Sequence, residues 1–281
     1  VLPRWTGWGP KLKTSYTATL NLGMSLKNVI IDPSYRLADV DMTNNSKRDR
    51  FKLKFDSKIY NPPNWKRYEM FLRPSIWWNA YDGTKLGAVM SGHYMQSKHV
   101  FEAGAWLSFG LGQAYVNDLL YRNRYNKGSF YIDYKTSTHK YIKKSNIYLQ
   151  LKSLDGLDAG MIGFEKKSNN DKTRFYSHLK GMLRDLPWDM IYLINDHEWG
   201  YQKLNSALHL GMEHNYRYLR GSGNIVFNLR ASAFTSDYDF SAATLTSVNK
   251  NEFKWFSINT RFFAQAGFGT KLPSESMLYV A

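Results

Sequence analysis

Seven histidines and no cysteine define the chemistry open to this chain. Without a thiol there is no disulfide, no thiolate zinc site and no cysteine nucleophile. His197-Glu198 supplies the first two positions of a zinc-protease helix, in which a second His one turn later shares the metal and the Glu activates water. Tyr201 stands at that later position and Gly200 falls inside the would-be helix, so the segment reads as a loop or hairpin apex. His209 and His214 are an odd number of residues apart, which on a strand sends them to opposite faces and away from a shared ion. His93 and His99 flank an expected turn. No nucleophile elbow, P-loop or dinucleotide fingerprint occurs. Asp82, Asp155, Asp158 and Asp237 read as turn formers, whereas Asp118, Asp133 and Asp196 fit the decoration of a polar interior rather than an acid/base pair. No catalytic, cofactor-binding or metal-ligating position is assigned to this chain.

The elements that carry these side chains alternate with period two. In residues 101–112, Phe101, Ala103, Ala105, Leu107, Phe109 and Leu111 share one face, and Glu102, Gly104, Trp106, Ser108, Gly110 and Gly112 the other. A strand with one greasy and one small or polar face produces this pattern. It recurs at residues 85–91, 147–152, 204–213, 225–232 and 256–268. Several runs reach the ~9–11 residues that a tilted strand needs to cross a bilayer, beyond the ~5–6 of an ordinary strand. Tyr81-Asp82-Gly83 and Leu154-Asp155-Gly156 read as hairpin turns, and residues 123–128 and 168–172 as loops. Before Asn44-Asn45-Ser46 the pattern is shorter, with strand-like Thr17–Leu22 and a short strand over Lys27–Pro33, so a domain boundary is placed there.

The chain of 281 residues carries 38 Lys and Arg against 23 Asp and Glu, a net charge of +15, with 43% hydrophobic and 16% aromatic residues. That aromatic share excludes a disordered basic tail. No run approaches the ~20 apolar residues of a membrane-spanning helix, which leaves a membrane β-barrel open because only alternate strand residues face lipid. Trp77-Trp78, Tyr94, Tyr121, Tyr125, Tyr141, Trp188, Tyr192, Trp199–Tyr201 and Tyr216–Tyr218 crowd the ends of the runs, as in an aromatic girdle. The positive excess fits nucleic-acid phosphates, anionic lipid headgroups or a polar interior. No nucleic-acid fold motif accompanies it, and a nucleic-acid partner is not expected. The alternation predicts Leu107, Phe109, Leu149, Leu208, Leu210, Phe227 and Phe262 on a lipid-facing side, and Gly104, Ser108, Gln150, His209, Asn228 and Gln265 on a lumen side.

Val29-Ile30-Ile31-Asp32-Pro33-Ser34-Tyr35-Arg36-Leu37-Ala38-Asp39-Val40-Asp41, followed by Asn44-Asn45, resembles the closing stretch of gluzincin-type zinc aminopeptidase domains of Gram-negative bacteria, where such a domain passes into a C-terminal outer-membrane barrel. Tyr68–Pro74, Trp78–Gly83, Leu86-Gly87 and Lys98–Phe101 carry the resemblance onward. The Asp-Gly turn followed by Leu-Gly is also similar to early barrel strands of the bacterial surface-antigen superfamily. The likeness covers about residues 2–112. It implies an upstream zinc peptidase domain whose metal helix and Glu ligand are not in these residues, so no catalytic or metal position is carried over.

The expected architecture is an all-β, antiparallel outer-membrane barrel, incomplete in this chain, of about a dozen strands. Residues 1–45 are expected to form a β segment of a peptidase-like domain with its linker, and residues 46–281 the partial barrel. Its expected role is to anchor and display the upstream domain around a polar lumen, in the outer membrane of a Gram-negative bacterium. The expected partners are outer-membrane lipid, lipopolysaccharide and the barrel assembly machinery. No cofactor is expected in the chain itself, zinc belonging to the upstream domain. Two alternatives stand beside this: part of an active zinc aminopeptidase whose catalytic domain precedes Val1, or a soluble basic barrel or sandwich that binds lipid or another anionic ligand.

Overall fold

The computed structural model describes residues 25–36, 41–46, 51–57, 64–80, 82–95, 98–113, 126–154, 156–184 and 202–271, with the single positions 17, 19, 21, 23, 39 and 273. Twelve strands form one sheet in sequence order. They are β1 (Phe51–Phe55), β2 (Tyr68–Asn79), β3 (Gly83–Tyr94), β4 (Lys98–Ser108), β5 (Gly128–Ser137), β6 (Ser145–Leu154), β7 (Leu157–Lys167), β8 (Thr173–Arg184), β9 (Asn205–Tyr218), β10 (Gly221–Ser232), β11 (Asp239–Glu252) and β12 (Ser257–Lys271). From β2 onward every neighbour is antiparallel, whereas β1 runs parallel to the first positions of β2, Phe51 opposite Tyr68 and Phe55 opposite Leu72. Among the described residues no α-helix occurs and no pairing joins β12 to β1.

Each strand from β2 to β12 is 10 to 15 residues long. Gly83 and Gly156 hold φ of +72° and +73°, the left-handed backbone that lets the Asp-Gly turns reverse the chain so tightly. The polar run 168–172 is the β7–β8 loop, as its composition predicts. Gly128, by contrast, opens β5 rather than closing a loop, and Asp158 lies inside β7 opposite Ser153 instead of shaping a turn. The short strand expected over Lys27–Pro33 is not formed. Ile30 makes one isolated bridge to Ser46, and the Tyr35 N–H closes a turn on the Asp32 carbonyl at 3.0 Å around Pro33-Ser34. Proline supplies no N–H, so a ladder cannot continue through it. The Thr17–Leu22 run lies partly outside the described residues.

The register sorts the side chains into two faces. Leu86, Leu107, Ile132, Leu149, Ile162, Leu179, Leu208, Leu229, Leu245 and Ala264 fall on one of them. Ser91, Glu102, Asp133, Gln150, Met161, Lys180, Ala207 and Ser232 lie in line across the other. Leu107, Leu149, Leu208, Leu210, Phe227 and Phe262 thus share the apolar face, and Gly104, Ser108, Gln150, His209, Asn228 and Gln265 the polar one, as the alternation predicts; Phe109 sits just past the end of β4. Among the described residues, Asp158 and Lys166 are the Asp, Glu, Lys or Arg residues on the apolar face whose pairing follows the regular register, and both lie one position from a strand end; Asp239 sits at the register shift that begins β11.

Among the described residues no second layer covers the apolar face. Leu107 is 62% exposed and Ile76 71%, while the buried apolar cluster is only Ala207, Tyr238 and Phe240. A water-soluble sheet of this span would bury such a face against helices or a second sheet.

Candidate functional site

On the polar face, cross-strand charge pairs follow from residues that the register sets opposite one another or one step apart. Glu165 of β7 accepts from Lys135 of β5 at 2.6 Å and from the Asn146 amide of β6 at 2.9 Å, with the Arg174 guanidinium of β8 at 3.7 Å. Arg174 donates to Glu213 of β9 at 2.6 Å, and Glu213 accepts from Asn224 of β10 at 3.0 Å. This chain of contacts ties six consecutive strands together across the polar side. Above it lies an aromatic row. His178 of β8 stacks on His209 of β9 with ring centroids 4.5 Å apart and has the Tyr148 hydroxyl 3.2 Å from Nδ1, while Tyr176 donates to Asn228. Gly163 and Gly211 make room for this row, since a Cβ on Gly211 would fall 2.1 Å from the Tyr176 ring and one on Gly163 2.3 Å from Tyr148. A groove of about 610 Å³ runs along the same face, lined by Ser91, Glu102, Asp133, Lys135, Glu165, Arg174 and His178 among others.

Basic side chains outnumber acidic ones on this face of β2 to β12 about twofold. Arg73, Lys85, Lys135, Lys152, Lys167, Arg174, Lys180, Arg184, Arg217, Arg230, Lys250 and Arg261 stand against Glu69, Glu102, Asp133, Glu165, Glu213 and Glu252. This face thus carries six of the fifteen formal positive charges by which the whole chain exceeds neutrality.

The two rims differ. At one, Asp82 in the β2–β3 turn is locked to Lys85: Lys85 Nζ lies 2.6 Å from Asp82 Oδ2, 3.1 Å from Ser129 Oγ and 4.4 Å from the Trp77 ring centre. The Asn126 N–H donates to Asp82 Oδ1 at 2.8 Å, and Ser108 Oγ donates to the Asp82 carbonyl at 2.6 Å. Burial alone would raise the Asp82 carboxyl, but Lys85, Asn126 and Asn79 outweigh it and hold the group below the usual carboxylate range. At the opposite rim the segment around Met42 docks on the sheet. The Met42 N–H donates to the Tyr94 hydroxyl at 3.0 Å, Tyr94 donates to the Trp65 carbonyl at 2.8 Å, and Lys98 pairs with Asp41 at 2.5 Å. Burial pushes the Asp41 carboxyl up, yet the Lys98 and Thr43 hydrogen bonds bring it net downward.

Tyr94 is therefore buried at 3% exposure and binds the preceding segment, rather than standing in an outward girdle. Trp78, Tyr216 and Tyr218 do sit near strand ends on the apolar face. Tyr121, Tyr125, Trp188, Tyr192, Trp199 and Tyr201 lie outside the described residues, as do His197-Glu198, Asp118, Asp155 and Asp196. His209 and His214 point to opposite faces, as their spacing predicts, and His93 and His99 lie on the two strands joined by the β3–β4 turn. Asp237 belongs to the β10–β11 turn, as expected of a turn former, and its carboxylate accepts from the N–H of Leu204, just before β9, at 2.6 Å. Asp133 faces Glu102 across β4 and β5, and Glu102 accepts from the Tyr131 hydroxyl. Among the described residues no three His, Asp or Glu side chains converge as metal ligands.

The His178–His209 contact is missed by sequence reasoning because the alternation of β8 is diluted by Lys180, Gly181 and Ser177, and the partner lies across the connection 185–204. Compared with protein-family models, with curated proteins and with solved structures, the chain gives no match.

Proposed function

We propose that this chain forms the wall of an outer-membrane β-barrel, with its apolar face toward lipid and its charged face toward an aqueous lumen. The observation that carries this reading is segregation: on strands of membrane-crossing length, the regularly paired apolar face holds, among the described residues, only Asp158 and Lys166 of the charged types, both beside strand ends, while the other face is densely ion-paired. Strands β3 to β11 each pair with a neighbour on both sides, which satisfies the backbone where no water is at hand. The uncovered leucines and phenylalanines speak against the soluble alternative.

The rims supply an orientation. Connections on the docking side are short, spanning 95–97, 138–144, 168–172, 219–220 and 253–256, whereas the other side includes 109–127 and 185–204. Bacterial barrels keep short turns in the periplasm and long loops outside. The rim holding Asp41, Met42 and Tyr94 is then periplasmic, and the barrel anchors whatever domain precedes residue 46 on that side. The resemblance of Val29–Asp41 to the end of zinc aminopeptidase domains supports reading that unit as metallopeptidase-like, for which an upstream zinc-binding helix in the parent sequence is the check.

Charge substitution tests the facing. Leu208→Arg is expected to destabilise the lipid-folded state by about 2–4 kcal/mol and Gln265→Arg by less than about 1 kcal/mol. Equal effects in a urea titration of lipid-folded protein refute the assignment.

A further inference from the structure

We propose that the lumen of this barrel selects small anions. The inference rests on the barrel reading and goes beyond it by naming the species that the polar face favours. Its acids are largely committed: Glu165 is held by Lys135 and Asn146, Glu213 by Arg174 and Asn224, and Glu252 by Lys250. Lys152, Arg230 and Arg261 form no ion pair among the described residues. Arg230 is set directly opposite His209, His209 stacks on His178, and Lys180 follows His178 two positions on along the same face of β8. Nitrogen-bearing side chains from three adjacent strands therefore lie side by side on this face. The carboxylates facing each other on β4 and β5, Glu102 and Asp133, lie outside this cluster. A wall with surplus fixed cations raises the local concentration of anions and depletes cations, the same arrangement by which basic rings make anion-selective pores.

The test is the reversal potential of the full chain, folded into liposomes and fused to a planar bilayer under a KCl gradient. Insertion is scored separately by heat-modifiable mobility and protection from trypsin. Chloride is expected to permeate better than potassium, and Arg261→Glu, on the exposed strand β12, to lower the chloride-to-potassium ratio. Reversing one unit charge about 8 Å from the ion path at ~0.1 M salt changes that ratio roughly fivefold. Arg230→Glu gives an independent second reading in the histidine cluster. Inserted protein that prefers potassium, conducts nothing, or keeps its selectivity in both variants overturns the anion proposal and leaves the barrel intact. Failure of the unaltered chain to insert overturns both.

Discussion

Asp82→Asn is the sharpest perturbation of the fold. The Lys85 side chain is 0% exposed and Asp82 2%, so the pair is sealed at the rim between the β2–β3 turn, the end of β4 and the start of β5. Asn keeps the size of Asp82 and an acceptor for Asn126, but it removes the carboxylate charge that faces the Lys85 ammonium beside Ser129 and the Trp77 ring. Removing one partner of a buried pair costs about 3–5 kcal/mol, because the remaining charge stays desolvated. Replacing both, as Asp82→Asn with Lys85→Met, is expected to recover most of that loss, since an apolar pair of similar volume carries no charge to bury. Urea unfolding of the lipid-folded protein, followed by tryptophan fluorescence with Trp77 beside the ammonium, reads the difference. The acid limb supplies a second check. A carboxyl whose folded pKa is depressed contributes stability that is present above its unfolded pKa, near 3.9, and is lost as pH falls through the folded value. Wild type is then expected to lose stability below about pH 4 more steeply than the double variant. A single variant within ~1 kcal/mol of wild type, or a double variant no better than the single, refutes the buried-pair account.

Gly211→Ala drives a Cβ into the Tyr176 ring, whose hydroxyl is tied to Asn228, and is expected to cost about 1–3 kcal/mol in the same titration. Tyr176→Phe relieves the tie but not the overlap, so a Gly211→Ala cost that vanishes in that background points to the hydrogen bond instead. Lys98→Ala frees the Asp41 carboxylate at the docking rim; both side chains are partly exposed, so the stability loss is expected to stay under about 1 kcal/mol. Trypsin cleavage within residues 47–50, just beyond that dock, is expected to accelerate severalfold, and unchanged cleavage argues that Tyr94 alone holds the segment.

The sequence exposes strands whose apolar face is mostly Leu, Phe and Ala. β4, β9, β10 and β12 alternate Leu and Phe with small or polar residues, and all four are legible, with faces assigned correctly. Strands β5, β7, β8 and β11 are not, for a physical reason: their polar-face positions carry Tyr131, Met161, Tyr176 and Val248, whose size blurs a hydrophobic period of two, and their apolar-face positions include Ser177, Ser241 and Ser247. The polar contacts are harder still. Lys135 and Glu165 are two strands apart, and their meeting depends on the registers of β5 against β6 and β6 against β7, which a single sequence fixes only where a tight turn such as Asp155-Gly156 pins the hairpin. Lys85 with Asp82 is local and within reach of sequence reasoning, yet the burial that makes it consequential comes from Ser108, Asn126 and Ser129, far along the chain.

Strand direction imposes one more condition on the barrel reading. With each neighbour antiparallel from β2 to β12, the first and last members of that series run the same way. Direct closure of β12 on β2 would be parallel, and so would closure on β1, which itself runs with β2. Bacterial barrels are antiparallel with an even strand number. Closure therefore calls for a strand running opposite to both edges, and β1 stands where that strand would sit against β2. β1 covers only Tyr68–Leu72 of an edge that continues to Asn79, and its own Phe51, Leu53 and Phe55 are well exposed. Each unpaired backbone group costs several kcal/mol in hydrocarbon, so a full-length antiparallel partner outcompetes a five-residue parallel one on energetic grounds. Amide hydrogen exchange on the lipid-folded protein is then expected to protect residues 73–79 as strongly as 68–72. Fast exchange confined to 73–79 would mean that this edge stays open in the membrane.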